Sequence, residues 1–227
     1  MECEKILAKL KSMANAENVR GMARFGINPC NTLGIGIPVL RKMAKAAGRD
    51  QKLSLELWGS QIHEAQLLAA FVGDPAQVSE EQMECWVKDF DSWDDCDQVC
   101  MSLFDKTPHA YKKAVEWSQR NEEFVKRAAY ALMASLAVHD KGADNSRFSS
   151  FLPFIKAGSL DERNFVKKGV NWALRQIGKR NDALRGLAIR CAEEILLENM
   201  KSSRWVAKVA LRELKKKAPV RAGEDEL

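Results

Sequence analysis

The chain has 227 residues, of which 36 are Lys or Arg and 31 are Asp or Glu, giving a formal net charge of +5 and a pI near 8.9. That length can bury a sizeable core, as one long domain or an array of repeats, and with the charges so nearly cancelling, local clustering matters more than the total. The N-terminus Met-Glu-Cys-Glu-Lys has no basic region followed by an apolar run, and no stretch has the length of a membrane span, so the protein is expected to be soluble and cytoplasmic.

Apolar residues at helical spacing predict helices over 2–14, 38–48, 53–58, 63–72, 80–90 and 93–104. The breaks fall at Asn28-Pro29, Gly73-Asp74-Pro75, Thr107-Pro108 and Lys141-Gly142, where proline or glycine ends a helix. Few runs alternate with period two, which excludes a substantial sheet. The six cysteines show no CxxC spacing, and Cys96 and Cys100, four apart on one helix, read as small buried hydrophobes. His63, His109 and His139 are far apart and read as surface or packing residues. No metal or other cofactor is expected.

The second half of the chain repeats. Phe124-Val-Lys-Arg-Ala-Ala-Tyr-Ala-Leu132 recurs as Phe165-Val-Lys-Lys-Gly-Val-Asn-Trp-Ala173 and, more faintly, as Trp205-Val-Ala-Lys-Val-Ala-Leu-Arg-Glu213. Offsets of roughly 40 residues between helical segments, each too small to bury its own face, are the mark of HEAT-type repeats. The expected architecture is an all-α solenoid of HEAT-like helical repeats with a concave basic face. It forms a single domain over 1–217, followed by a flexible tail over 218–227 that ends Gly-Glu-Asp-Glu-Leu. In this register Arg127, Lys168 and Lys208 form one column, with Ala131, Trp172 and Arg212 one turn later, and together they make a basic strip along the inner face. Arg20, Arg24, Arg41, Lys42 and Lys45 add positive charge near the N-terminus, where ordinary solvated helix faces account for them equally well.

Trp172 is hard to explain as packing. Val166, Val170, Ala173, Leu174 and Ile177 form a buried stripe, and a turn of about 100° per residue puts Lys168, Trp172, Arg175 and Lys179 on the opposite face. An aromatic ring among cations suits a sugar-phosphate ligand, since cations pair with phosphate while the ring packs on sugar or base. A partner helix or loop covering the ring is the structural alternative.

A second constellation is Ser92-Trp93-Asp94-Asp95-Cys96-Asp97. Ser92 is placed to cap a helix, and Asp94 and Asp95 complement its dipole in the first turn. Asp97 lacks that explanation. It flanks the apolar stripe between Trp93 and Met101, and a carboxylate partly desolvated there needs a cationic partner or a function. Arg127, about 220° around its helix from the stripe of Val125, Ala128, Leu132 and Leu136, is the candidate partner. A purely structural Asp97–Arg127 pair between repeats stays open.

Ser92-Trp93-Asp-Asp-Cys-Asp97, Lys126-Arg127-Ala-Ala and Trp172-Ala-Leu-Arg175 resemble, in order and spacing, the HEAT-like DNA alkylation-repair family of AlkD-like alkylpurine DNA glycosylases. Met22-Ala-Arg-Phe25, Leu33-Gly-Ile-Gly-Ile-Pro38, Leu40-Arg41, Glu56-Leu-Trp58 and Glu64-Ala-Gln66 extend the likeness, which covers roughly residues 1–215. The resemblance implies a base-excision repair glycosylase that releases cationic N3- and N7-alkylated purines from double-stranded DNA without flipping the lesion into a pocket, unlike the usual arrangement. By the same likeness, Trp93 and Trp172 would pack on the lesion's deoxyribose. Asp97 would act at the anomeric carbon, and Arg127 would hold the backbone near the lesion. The chain departs from the family's pattern at Phe25, Gly36 and Ile37, which bears on contacts to the strand opposite the lesion.

The residue types fit that chemistry. An alkylated purine is already a cationic leaving group, so the charge left to stabilise is the one growing on the sugar, which a carboxylate and indole faces can do. Arg41, Lys168, Arg175, Lys179, Lys208 and Arg212 would meet phosphates without reading sequence, with the protein acting as a monomer. The competing expectation is a non-catalytic HEAT module that binds DNA structure or a protein partner.

Overall fold

A computed structural model describes residues 2–216, so the expected tail from Ala218 to Leu227 lies outside the described residues. All regular structure among those residues is helical: α1 (Glu2–Ser12), α2 (Ala16–Arg24), α3 (Ile37–Ala47), α4 (Gln51–Gly59), α5 (His63–Val72), α6 (Glu80–Asp89), α7 (Trp93–Ser102), a tight 3-10 turn (Phe104–Lys106), α8 (Ala110–Ser118), α9 (Glu123–His139), α10 (Asn145–Ser149), α11 (Leu152–Gly158), α12 (Asn164–Lys179), α13 (Asp182–Leu196) and α14 (Lys201–Leu214). None of them is long and apolar enough to cross a membrane.

The predicted helices form, with ends that shift by a few residues at most. The spacing carries the seventh helix through Phe104, but α7 stops at Ser102, where the Lys106 ammonium donates to the carbonyls of Met101 and Ser102 and closes the helix end. Helix α2, absent from the sequence reading, fully buries no residue, and the Asn15 side chain holds its start by accepting from the N–H groups of Glu17 and Asn18.

Helices α3, α5, α7, α9, α12 and α14 pack successively, each on the next, as one row, and α4 backs α5, α8 backs α9, and α13 backs both α12 and α14. This two-layer stacking of helix pairs is the repeat architecture the 40-residue offset predicted. The row's centre is drier than its sequence stripe implied. Of the seventeen residues of α9, twelve are buried, because α7, α8 and α12 cover it from three sides. Arg127, expected on the face opposite the core, is one of the twelve. Cys96 and Cys100 are buried as expected, each thiol pointing at a carbonyl of α9, Phe124 and Ala128 respectively, at 3.7 Å.

Close approach in the second layer depends on a glycine. A Cβ at Gly158 would lie 1.9 Å from the hydroxyl of the fully buried Tyr130, which donates to the Phe154 carbonyl. Gly158→Ala is therefore expected to destabilise the protein by about 1–3 kcal/mol, the cost of overpacking, although alanine is the better helix former. Urea unfolding checks this, and an unchanged or higher midpoint would show that α11 can move away freely.

Candidate nucleic-acid interface

The N-terminal halves of three neighbouring helices in the inner row meet around one cleft of about 330 Å³, lined by Phe25, Trp93, Asp97, Arg127, Phe165, Lys168 and Trp172. All four residues singled out for catalysis, Trp93, Asp97, Arg127 and Trp172, come together here from segments 30 to 79 residues apart in sequence. The first turns of α7 and α12 reach its lining through Trp93 and Phe165, and α9 enters one turn in, through Arg127.

Asp97 and Arg127 form a two-pronged pair, with Arg127 Nε donating to Asp97 Oδ1 at 3.0 Å and Nη2 to Oδ2 at 2.7 Å. The third prong, Nη1, donates to the Phe165 carbonyl at 2.6 Å, so one guanidinium joins α7, α9 and α12. Only 14% of the Asp97 side chain and 7% of that of Arg127 is exposed. Burial pushes the Asp97 carboxyl up from its ordinary pKa, and the Arg127 charge and hydrogen bonds oppose that rise. The structural pair left open by the sequence therefore exists, and it sits inside the cleft. Arg127 is committed to Asp97 and the Phe165 carbonyl, which makes it the carboxylate's holder.

The two tryptophans flank this pair. Trp93 is half-buried at the first position of α7, and its indole N–H donates to the Phe25 carbonyl at 3.0 Å. Trp172 is also half-buried and packs against the edge of the core, closer in than a face opposite the buried stripe implies. Lys168 is exposed at the rim of the cleft. Arg175 and Lys179 both pair with Glu213 of α14, which offsets one of their two charges, whereas Lys208 and Arg212 are exposed on α14. Arg41 lies on α3 outside this cleft; its guanidinium stacks on the Phe71 ring and donates to the Gln98 side chain.

Sequence reasoning missed what fixes the N-terminal side of the cleft. Ser92 stands at the N-cap of α7, but its hydroxyl donates to Asp91 and accepts the Asn28 N–H, leaving the helix end to others. Asp94, read as a dipole partner, is buried and meets His63 Nε2 at 3.0 Å. Its neighbour Glu64, fully buried, accepts from the backbone N–H groups of Leu33, Gly34 and Ile35. His63 and Glu64 thus tie both the start of α7 and the 25–36 segment to α5. Their signal was available: they are polar residues at the head of a helix otherwise nearly all apolar, and buried polar groups require partners. Gly26, at φ 82°, completes the segment; a Cβ there would lie 2.7 Å from the Phe165 ring.

Burial favours neutral His63, but the Asp94 hydrogen bond and the charges of Asp94, Asp95 and Glu64 outweigh it and raise its pKa to about 9. Burial likewise raises the Asp95 carboxyl to about 8. Both folded-state groups hold protons that the unfolded chain gives up. The His63 contribution is complete below pH 6.5 and is lost as pH rises through about 9, while that of Asp95 falls away up to about pH 8. Stability measured by urea unfolding is thus expected to drop between pH 6.5 and 9. His63→Gln should flatten the part above pH 8, and an equally steep decline in that variant would remove His63 as its source.

A sequence profile of the family described as DNA alkylation repair enzyme matches residues 6–214. Among solved structures, the chain is similar to one from "a new family of proteins related to the HEAT-like repeat DNA glycosylases with affinity for branched DNA structures", with a TM-score of 0.76 and 18% identity over 94% of this chain and 95% of that one. At that identity the likeness shows the shared HEAT-like fold. A search of curated proteins found no match.

Proposed function

The chain belongs to the DNA alkylation repair enzyme family, and from that premise we propose that it is a DNA glycosylase releasing cationic N3- and N7-alkylated purines from double-stranded DNA. The observation that carries this reading is the convergence of Trp93, Trp172 and the Arg127-held carboxylate of Asp97 on one cleft. Nothing in that set needs to protonate a leaving group, and an alkylated purine does not require it. As the N-glycosidic bond breaks, its electron pair goes to the purine and cancels the purine's charge, and a positive charge grows on the sugar. Asp97 stabilises that charge and the indole faces support it. A water then adds at the anomeric carbon and gives up a proton.

Arg127 fits this role as a positioning residue. It occupies one lone-pair direction on each Asp97 oxygen and leaves the others for the sugar or the water. It also favours the ionised carboxylate against burial. The lesion stays outside any deep base pocket in this reading, in keeping with a shallow cleft of about 330 Å³ walled by rings that suit a deoxyribose. Lys168 at the rim, with Lys208 and Arg212 on α14, provides phosphate contacts.

Asp97→Asn is expected to bind lesion-containing duplex as tightly as the native protein or more tightly, because an anion facing a polyphosphate repels it until the sugar turns cationic. Single-turnover release of N7-methylguanine should slow by roughly 10- to 1000-fold, the range for removing one electrostatic stabiliser. Circular dichroism on the same sample establishes that the variant is folded, and a folded variant with native release would end the catalytic assignment. Trp172→Ala, which removes one ring platform, should slow release by roughly 5- to 150-fold, corresponding to about 1–3 kcal/mol of stacking. Release at the native rate would return the ring to packing.

The similar solved structure, whose family is described by affinity for branched DNA, favours one alternative, a non-catalytic module that binds DNA structure. The native protein decides between them on two substrates. Base release from methylated duplex supports the glycosylase. Tight binding of a four-way junction with no release supports the module.

A further inference from the structure

We propose that a second cleft, lined by Arg41, Lys45, Arg49 and Lys106, is a phosphodiester-binding subsite that grips the DNA backbone beside the lesion cleft. This rests on the DNA-acting reading above, though not on base release. The cleft has a volume of about 580 Å³ and lies where the C-terminal ends of α3, α5, α7 and α9 come together, with Phe71 and Met101 as apolar surface between the cations.

The charge pattern supports it. Several clustered cations elsewhere in the chain stand against acids: Lys112 and Lys113 against Glu80 and Glu116, Lys126 and Arg163 sharing Asp161, Arg175 and Lys179 sharing Glu213. In this cleft they are not matched. Among the described residues Lys45 and Arg49 have no hydrogen-bond or ion-pair partner. The carboxylate that these side chains do touch, Asp105, is fully buried and held by both Lys106 and His139. Several positive charges thus share one concavity with no acid in its lining, Asp74 near Arg49 standing outside it, which focuses the field on an incoming anion.

Helix ends explain part of this. Lys106 caps the last carbonyls of α7, and Lys45 stands in the last turn of α3, where the dipole favours a cation. Arg41 and Arg49 are left over. Arg41 is also built into place: its guanidinium lies 4.6 Å from the Phe71 ring centroid, and one nitrogen donates to Gln98 at 3.1 Å. A planar fork held on an aromatic face is suited to a phosphate.

Position supplies the ligand. Asp97 lines the lesion cleft and Met101 lines the basic cleft, and residues four apart lie on the same face of a helix, about 6 Å along its axis. The two clefts therefore open on the same side of α7, and a duplex seated on the first brings its neighbouring backbone to the second.

The test compares the Lys45→Gln/Arg49→Gln double variant with a control of equal charge, Lys11→Gln/Lys52→Gln, on exposed positions away from both clefts. Binding of an undamaged duplex is followed by fluorescence anisotropy across a salt series. The cleft variant should flatten the log-log salt slope by roughly two units, about 0.9 for each lost phosphate contact, while the control keeps the native slope. Release of N7-methylguanine at saturating protein should stay within about twofold of native, because neither residue touches the lesion cleft. Equal slopes in cleft variant and control would overturn the subsite. So would saturable binding of inorganic phosphate, abolished in the cleft variant while the DNA slope is native, since the cleft would then serve a free anion. If the native protein releases no base yet the slope changes as expected, the glycosylase reading falls and the subsite stands.

Discussion

The Arg127 guanidinium is the joint on which the cleft depends. Removing a charge from water costs several kcal/mol, and inside a helical stack that cost is met only when each face of the ion has a partner. Here Asp97 on α7 takes two prongs and the Phe165 carbonyl on α12 takes the third. The requirement to satisfy one buried charge therefore sets the spacing of three helices. The pair is at once structural and, in the proposed function, chemical: the contacts that position Asp97 also favour its charged form.

A second clamp works on the other wall. The first two residues of α5 reach in different directions, His63 to Asp94 in the first turn of α7 and Glu64 to three successive N–H groups of the 33–35 backbone. Segment 25–36 has no regular structure of its own, so these bonds, with those that Asn28 donates to Ser92 and Asp91, define its course. That course brings the Phe25 carbonyl to the Trp93 indole and an exposed Phe25 ring to the cleft. Phe25 is thus placed by buried polar contacts far from it in sequence.

Helix direction gives the face its polarity. The N-terminal halves of α7, α9 and α12 surround the cleft with Asp97, and their partial positive ends favour a polyanion there even though the cleft holds a carboxylate. The C-terminal ends of α3, α7 and α9 meet at the other cleft, where their partial negative charge would repel DNA if Arg41, Lys45, Arg49 and Lys106 did not exceed it.

Much was legible in the sequence, for a physical reason. Helices that bury one stripe carry a 3.6-residue period, and repeats that stack alike repeat their patterns, so α5, α7, α9 and α12 and the HEAT-like stacking could be read from Val166, Val170, Leu174 and their counterparts. Asp97 could be singled out because a carboxylate beside an apolar stripe requires an explanation. Periodicity fails where burial is not one-sided. It put Arg127 on an open face because it could not show α7, α8 and α12 covering α9. Partners distant in the chain were equally hidden: neither Glu64 with the 33–35 backbone nor Glu213 with Arg175 and Lys179 follows from local spacing, since both depend on which helices stack beside which. Sequence alone determined the inner-row helices, their repetition and the choice of Trp93, Asp97, Arg127 and Trp172, while α2, α8, α10, α11 and α13 went unread. Tertiary structure decided which charges are free to meet a ligand, because a charge's availability depends on what lies across the interface from it.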